Sequence, residues 1–220
     1  MHDSTWRTAF FYYSTLTTLT MTFIDLPSNG SENTTWLVAT PQESEEIAQF
    51  VVNCLREAFT KNFILGPQEI FKSKEFEQAY QVYRHKMISN PLNICRILRD
   101  ASTKEILGYA ELGPKKDFVG KDHIDFEIIC LFCHPSMKGK GIGTFMISFL
   151  FKEMANLGRL IAGQHTVGVM TLSGSPFKRF YLKIGAKKES EHELIWIGGN
   201  AFPTTALWFD AKGVEALVNL

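Results

Sequence analysis

Met137-Lys138-Gly139-Lys140-Gly141-Ile142-Gly143-Thr144 joins a strand-like run, Ile124 to Cys133, to a helix-like run, Ile142 to Leu157. A glycine loop that feeds a helix start is an anion cradle. Glycine lets the backbone approach a phosphate without a Cβ clash. The first helical turn adds unpaired N–H groups and the positive end of its dipole. The reading of the whole chain turns on which phosphate ligand this loop is built for.

Two familiar phosphate loops fail here. A Walker A loop needs Gly-Lys followed by Ser or Thr at the helix start, whereas Gly141 is followed by Ile142 and Thr144 has no lysine before it. A dinucleotide fingerprint that begins at Gly139 and Gly141 needs its third glycine at position 144, which is Thr. It also needs an acid about 20 residues on to hold a ribose, and Met154 to Lys188 contains no Asp or Glu.

The pattern that fits is Gln/Arg-x-x-Gly-x-Gly/Ala, with Lys138 in the first place, then Gly141 and Gly143. A second motif, Phe180-Tyr181-Leu182-Lys183-Ile184-Gly185, has the form Phe-Tyr-x-x-x-Gly. On these residues, and on the order of its elements from about Trp36 to Asp210, the chain resembles the GCN5-related N-acetyltransferase (GNAT) family. That resemblance implies that the loop holds the pyrophosphate of acetyl-CoA through Lys138, Gly139, Lys140, Gly141, Ile142, Gly143 and Thr144. It also implies that backbone groups at Leu131, Phe132 and Cys133 pair with the pantetheine arm and polarise the thioester carbonyl. Two residues depart from the family pattern: Lys138 replaces Gln or Arg, and Gly174 stands where many members carry an asparagine that contacts the cofactor arm.

Composition agrees with an enzyme domain of ordinary type. In 220 residues, 45% are hydrophobic, enough for one core. Lys+Arg and Asp+Glu both total 23, so no overall charge drives binding to nucleic acid or to an anionic membrane. The distribution is uneven, with nine Lys or Arg and one acid, Glu153, between His134 and Lys188. A solvated basic face explains that run as well as a polyanionic cofactor does, and the glycine loop favours the cofactor.

Four cysteines, Cys54, Cys95, Cys130 and Cys133, make no disulfide framework in a chain of this length. They are expected as core thiols in a reducing, cytoplasmic setting. Cys130-Leu131-Phe132-Cys133-His134 matches the haem c attachment string, yet it lies in an apolar strand, where residues three apart face opposite sides. No metal is expected.

Residues 1–35 read as an N-terminal extension and linker, rich in Thr, Ser and aromatics, with Met21 a second candidate start. No run approaches about 18 apolar residues, and no basic cluster followed by a clean apolar run marks a signal peptide. The sequon at Asn33 has meaning only in a secreted chain.

Residues 36–220 read as one α+β domain, a mixed and mainly antiparallel sheet flanked by helices. Expected are a strand at 36–39, helices at 42–59 and 74–88, and a hairpin of strands 93–99 and 106–112. After them come strand 124–133, helix 142–157, strand 161–172 and a helix capped by Ser175 and closed at Gly185. Strands at 191–197 and 205–209 close the sheet. The first helix carries an apolar stripe of Ile47, Phe50, Val51, Cys54, Leu55 and Phe59. The second carries Phe76, Tyr80, Tyr83 and Met87 at helical spacing, a pattern of core packing. By resemblance this helical pair overhangs the acceptor pocket, so the stretch from Phe59 to Tyr83 bears on substrate choice.

Acetyl transfer to an amine needs a neutral amine, a stabilised oxyanion and a proton for the departing thiolate. Glu127 is the candidate base. It lies eleven residues before Lys138, a placement that resembles the catalytic glutamate of the histone acetyltransferase branch. Its half-apolar strand is expected to raise its pKa. A salt bridge or a solvated strand edge is the competing role.

Tyr181 is the candidate acid, because in many family members this tyrosine stands near the cofactor sulfur. A packed aromatic with a wet hydroxyl is its competing role. His134 and His165 read as structural. The expected reaction is direct attack of a primary amine on acetyl-CoA in a ternary complex, catalysed by a monomer or homodimer. The acceptor is a small molecule, a peptide N-terminus or a lysine side chain. Glu111, Asp117, Asp122 and Asp125, close to the expected pocket, suit a cationic acceptor. The alternative is a noncatalytic acyl-CoA sensor or interaction module on the same fold.

Overall fold

The computed structural model describes residues 34–62, 73–116, 123–173, 175–195 and 201–220. Gly174, Asp117, Asp122 and most of the N-terminal extension lie outside the described residues.

Strand β1 (Thr34–Val38) is followed by a 3-10 turn, Pro41–Glu43, and helix α1 (Ser44–Asn62). Thr40-Pro41 sets that start: the Thr40 N–H donates to Glu43 Oε2 at 2.8 Å in a capping box, with Pro41 in the first turn. Helix α2 (Lys74–Ile88) begins where its apolar period begins, capped by Ser73, which accepts from the Phe76 N–H. Strands β2 (Ile94–Asp100) and β3 (Ile106–Pro114) form the expected hairpin. Strand β4 (Phe126–Cys133) leads through the glycine loop into α3 (Ile142–Asn156). Then come β5 (Val167–Leu172), α4 (Pro176–Lys183), β6 (Lys187–Ile195), β7 (Ala201–Phe209) and α5 (Ala211–Val218).

Three readings change. The stretch 161–166 is not strand. Gly163 has φ +78°, and the Gln164 and His165 N–H groups both donate to Ile161 O, so this segment turns before β5 begins. The first closing strand starts at Lys187 rather than 191 and the second at Ala201 rather than 205; Trp196 and Ile197 lie outside the described residues. A C-terminal helix, α5, follows the last strand. Asp210 caps it by accepting from the Gly213 N–H at 2.8 Å, and Val214 and Leu217 bury its apolar side. The Ser148 hydroxyl donates to Leu217 O at 2.7 Å and ties α5 to α3.

The strands form one open sheet in the order β1-β2-β3-β4-β5-β7-β6, antiparallel except for β4 beside β5. Helices α3 and α5 cover one face with Met146, Ile147, Leu150, Phe151, Val214 and Leu217. Helices α1 and α2 cover the other with Ile47, Val51, Leu55, Phe76 and Tyr80, which meet Cys95, Ile97, Tyr109 and Cys130 of the sheet. Trp36 packs edge-on to Phe149 of α3 at 5.4 Å between ring centroids and holds the outer strand down.

Two irregularities interrupt the centre of the sheet. Across β3 and β4, Glu111 faces Cys130 but Leu112 faces Ile128, so Ile129 is an extra residue and β4 bulges there. On its other side, β4 pairs with β5 only from Phe126 to Ile128, against Val167 to Val169. Past the bulge the two parallel strands part, and the backbone of 129–133 has no strand partner on its β5 side.

Candidate active site

A narrow cleft of about 80 Å³ lies in the gap between the parted strands. Its walls come from the bulged segment of β4, from Met170 to Leu172 of β5, from Leu55 and Tyr80 on the α1 and α2 side, and from Ser175, Phe177 and Tyr181 of α4. Between the other neighbouring strands, ladder hydrogen bonds consume the facing backbone N–H and C=O groups. Along 129–133 the β5 side of β4 lacks a strand partner, an edge of the kind that an extended ligand can join as an added strand.

The glycine loop stands at the end of this open edge. Gly139 and Gly141 have φ of +78° and +80°, left-handed conformations that a Cβ disfavours. The first bond within α3 runs from the Phe145 N–H to Gly141 O at 3.1 Å. The N–H groups of Ile142, Gly143 and Thr144 therefore have no acceptor in the helix and point out of its positive end. Lys138 is half-exposed, 3.9 Å from Glu57 of α1, and Lys140 is exposed.

Gly143 is required for a different reason. A Cβ there would sit 2.9 Å from Phe180 Cζ, so the two motifs that carry the family resemblance touch each other. Gly141 has open space around it, so Gly141→Ala adds only left-handed strain of about 1–2 kcal/mol. We expect roughly tenfold weaker acetyl-CoA binding, read as a smaller stabilisation in a thermal titration. Unchanged affinity would remove the loop from the cofactor site.

Tyr181 lies in the cleft wall, 6% exposed, with its ring 5.1 Å from that of Phe180. Burial pushes its phenol well above the ordinary range, and the nearby Cys130 and Cys133 thiols add to this, so it stays protonated at neutral pH. Glu127 is also 6% exposed and sits across from Gly113 and Gly168 of the neighbouring strands. It precedes the bulge by two residues, and its Oε2 accepts from the Lys116 N–H at 3.4 Å. Phe126 and Ile128, on either side of it, pack towards α3, which turns Glu127 to the α1 and α2 face.

Cys130 faces α1 and α2 while Cys133 packs towards α3, so the haem-like string puts its two thiols on opposite faces. Burial pushes the thiols of Cys54, Cys130 and Cys133 up to about 12. As neutral thiols beside the cleft they are poor nucleophiles. His165 accepts the Ile161 N–H at 3.0 Å and packs against Phe126, and His134 bonds Ser136, both structural contacts. Among the described residues, no group of three His, Cys, Asp or Glu side chains is gathered for a metal, and no helix is long and apolar enough to cross a membrane.

The acids expected to attract a cationic acceptor are used differently. Glu111 is fully buried: its Oε2 takes Arg84 Nη1 at 2.5 Å and the Tyr109 hydroxyl at 3.1 Å, and its Oε1 takes Asn93 Nδ2 at 3.1 Å. Asp125 Oδ2 accepts from the N–H and hydroxyl of Thr166. Glu111 is closed off from a ligand, whereas Asp125 stays exposed at the surface. Sequence reasoning misses the Arg84 web, although a signal is there. Arg84 falls on the same helical stripe as Phe76, Tyr80 and Met87, and Glu111 interrupts an apolar strand, leaving two opposite charges at core positions.

The family model described as the acetyltransferase (GNAT) family matches residues 53–171. No curated protein sequence matches. Among solved structures, one described as the GCN5-related N-acetyltransferase, aminotransferase class II, from Rhodopseudomonas palustris is similar with a TM-score of 0.56 and 18% identity. That match covers 79% of this chain and 92% of the other. The spermidine N-acetyltransferase of Vibrio cholerae, solved with CoA and spermine, is similar with a TM-score of 0.53 and 16% identity, covering 84% and 99%. At such identities the likeness is one of fold.

Proposed function

The chain belongs to the acetyltransferase (GNAT) family and is an acyl-CoA-dependent acyltransferase, and from that premise we propose that it acetylates a primary amine by direct attack in a ternary complex. The observation that carries the reading is the parting of β4 from β5 beside the glycine loop, since it leaves an open strand edge that ends at an anion cradle. Acetyl-CoA enters with its pyrophosphate at Lys138 to Thr144 and its pantetheine arm along Leu131, Phe132 and Cys133. The acceptor comes from the α1 and α2 side, where Glu127 takes the proton of the incoming ammonium.

The amine nitrogen then attacks the thioester carbon, a C–N bond forms and the carbonyl electrons move onto oxygen. The attacking nitrogen sheds its remaining extra proton to water. Collapse restores the carbonyl, breaks the C–S bond and expels CoA as the thiolate, which Tyr181 protonates before recovering its own proton from solvent, while Glu127 releases the ammonium proton to solvent. Burial keeps this phenol protonated at neutral pH, so its O–H is there to hydrogen-bond the departing sulfur, although the same upward shift makes full transfer of the proton less favourable. The protonated thiols of Cys130 and Cys133 favour direct attack over an acyl-enzyme.

CoA release with an amine present tests the reading, and spermidine, the acceptor in the name of the solved Vibrio enzyme, belongs in the first panel. Acetyl-CoA that stabilises the protein with no amine consumed would favour a noncatalytic acyl-CoA sensor. Within the enzyme reading, Tyr181→Phe is expected to lower kcat about tenfold with acetyl-CoA affinity unchanged. The loss is modest because a thiol with a reference pKa of about 8.5 is a fair leaving group at neutral pH. A wild-type kcat would remove the acid role.

A further inference from the structure

Hydroxyl groups gather where β5 runs out against the cleft. Thr171, Ser173 and Ser175 follow one another at every second residue, and Thr205 of β7 stands opposite Thr171 in the ladder. The others are committed. The Ser173 and Thr205 hydroxyls bond each other at 2.9 Å, and Ser175 caps α4 by accepting the Phe177 N–H at 3.1 Å. The Thr171 hydroxyl has no hydrogen-bond partner among the described residues, although Thr171 is only 6% exposed and lines the cleft. A hydroxyl enclosed this far costs free energy until something bonds it.

Its position says what could. Val167 and Val169 pack into the apolar cluster that contains Tyr181, and strand alternation turns Thr171 to the same side. The last rung between β4 and β5 joins Ile128 to Val169. Counted onward, with Ile129 as the extra residue of the bulge, Thr171 comes level with Leu131 across the gap. Leu131, Thr171 and Tyr181 all line the same narrow cleft. A ligand added along Leu131 to Cys133 therefore meets backbone groups on its β4 side and this hydroxyl on its β5 side. The pantetheine arm of acetyl-CoA carries amide groups that lose water on entering such a cleft, and a threonine hydroxyl donates and accepts. Position 174, where the family resemblance places an asparagine for this arm, is glycine and has no side chain to offer.

We infer that Thr171 is a cofactor-binding residue whose hydroxyl pairs with an amide of the pantetheine arm across the cleft from Leu131, supplying the side-chain contact that Gly174 lacks. This rests on the acyl-CoA site proposed above and assigns its β5 wall a role.

The test is a thermal titration with two ligands, acetyl-CoA and adenosine 3′-phosphate 5′-diphosphate, the nucleotide end of CoA without its pantetheine arm. Thr171→Val removes the hydroxyl and keeps a β-branched side chain on the strand, whereas Thr171→Ser keeps the hydroxyl. Thr171→Val is expected to weaken acetyl-CoA binding about fivefold, the worth of one neutral hydrogen bond, and to leave the nucleotide unaffected. Thr171→Ser is expected to bind both ligands as the wild-type protein does. Unchanged acetyl-CoA affinity in Thr171→Val would overturn the inference and leave the acyl-CoA site standing, and equal weakening of both ligands would overturn it in favour of a general distortion. No stabilisation of the wild-type protein by acetyl-CoA would overturn the site and the inference together. Acetyl-CoA binding that depends on the hydroxyl, with no amine consumed, would support the inference and overturn amine acetylation. If Thr171→Val does not fold, Thr171→Ala set against Thr171→Ser gives the same comparison.

Discussion

Glu127→Gln is expected to lower kcat/KM for the amine about a hundredfold at pH 7, within the range of general-base catalysis, and the deficit should close as pH rises. A primary amine with a pKa near 10 is almost wholly ammonium at pH 7. With Glu127 as the base, the wild-type protein would remove that proton in place, and the variant would wait for the rare neutral amine, whose share grows about tenfold per pH unit. The variant profile should therefore climb with unit slope towards pH 10, while the wild-type profile is flatter. Glutamine keeps an oxygen for the Lys116 N–H, so folding and acetyl-CoA affinity serve as controls. A deficit of constant size across pH would make Glu127 a positioning residue, and no deficit would take it out of the mechanism.

What the sequence discloses and what it withholds divide along a physical line. Helix α2 is legible to the residue because Phe76, Tyr80, Tyr83 and Met87 keep a 3.6-residue period. The cradle is legible because only glycine sits comfortably at the φ values of 139 and 141. The bulge is not. In Ile128-Ile129-Cys130-Leu131 every residue is apolar, so a strand that slips by one residue leaves no break in alternation to mark it. Helix α5 is hidden by its eight residues and by Gly213 in its first turn, and it takes its stability from the packing of Val214 and Leu217 on α3. The turn at 161–166 passes for strand because Ile161 and Ala162 continue the apolar composition of β5, while the backbone follows Gly163.

The same line explains the acceptor side. The cofactor half of the site is made of local backbone features, a loop and a helix start, which a short stretch of sequence specifies. The side of the cleft towards α1 and α2 depends on Tyr80 meeting Cys130 across the sheet, and behind it Arg84 meets Glu111 across 27 residues of chain. Counting acids in the sequence points to a pocket for a cationic acceptor. Pairing them in space buries the most central one, Glu111, against Arg84.

Arg84→Met is expected to be the most destabilising of these substitutions, at about 3–5 kcal/mol, or a fall in Tm of roughly 10 °C for a domain of this size. Arg84 is 1% exposed and Glu111 fully buried. The variant keeps the Tyr109 and Asn93 bonds to the carboxylate but removes its counter-ion. Replacing both partners, Arg84→Met with Glu111→Leu, removes the stranded charge as well and should restore most of the loss. The sign with pH follows from the carboxyl. Burial already pushes the Glu111 pKa up, with Arg84 opposing, so loss of the guanidinium raises it further above its unfolded value. A carboxyl that binds its proton more tightly when folded costs nothing while it is protonated in both states. The deficit of Arg84→Met should thus be small below the ordinary glutamate range and grow as pH rises through it, and Tm measured from pH 4 to pH 8 reads this directly. A deficit independent of pH would mean that lost packing on Tyr80 and Tyr83, rather than a stranded carboxylate, is what the arginine prevents.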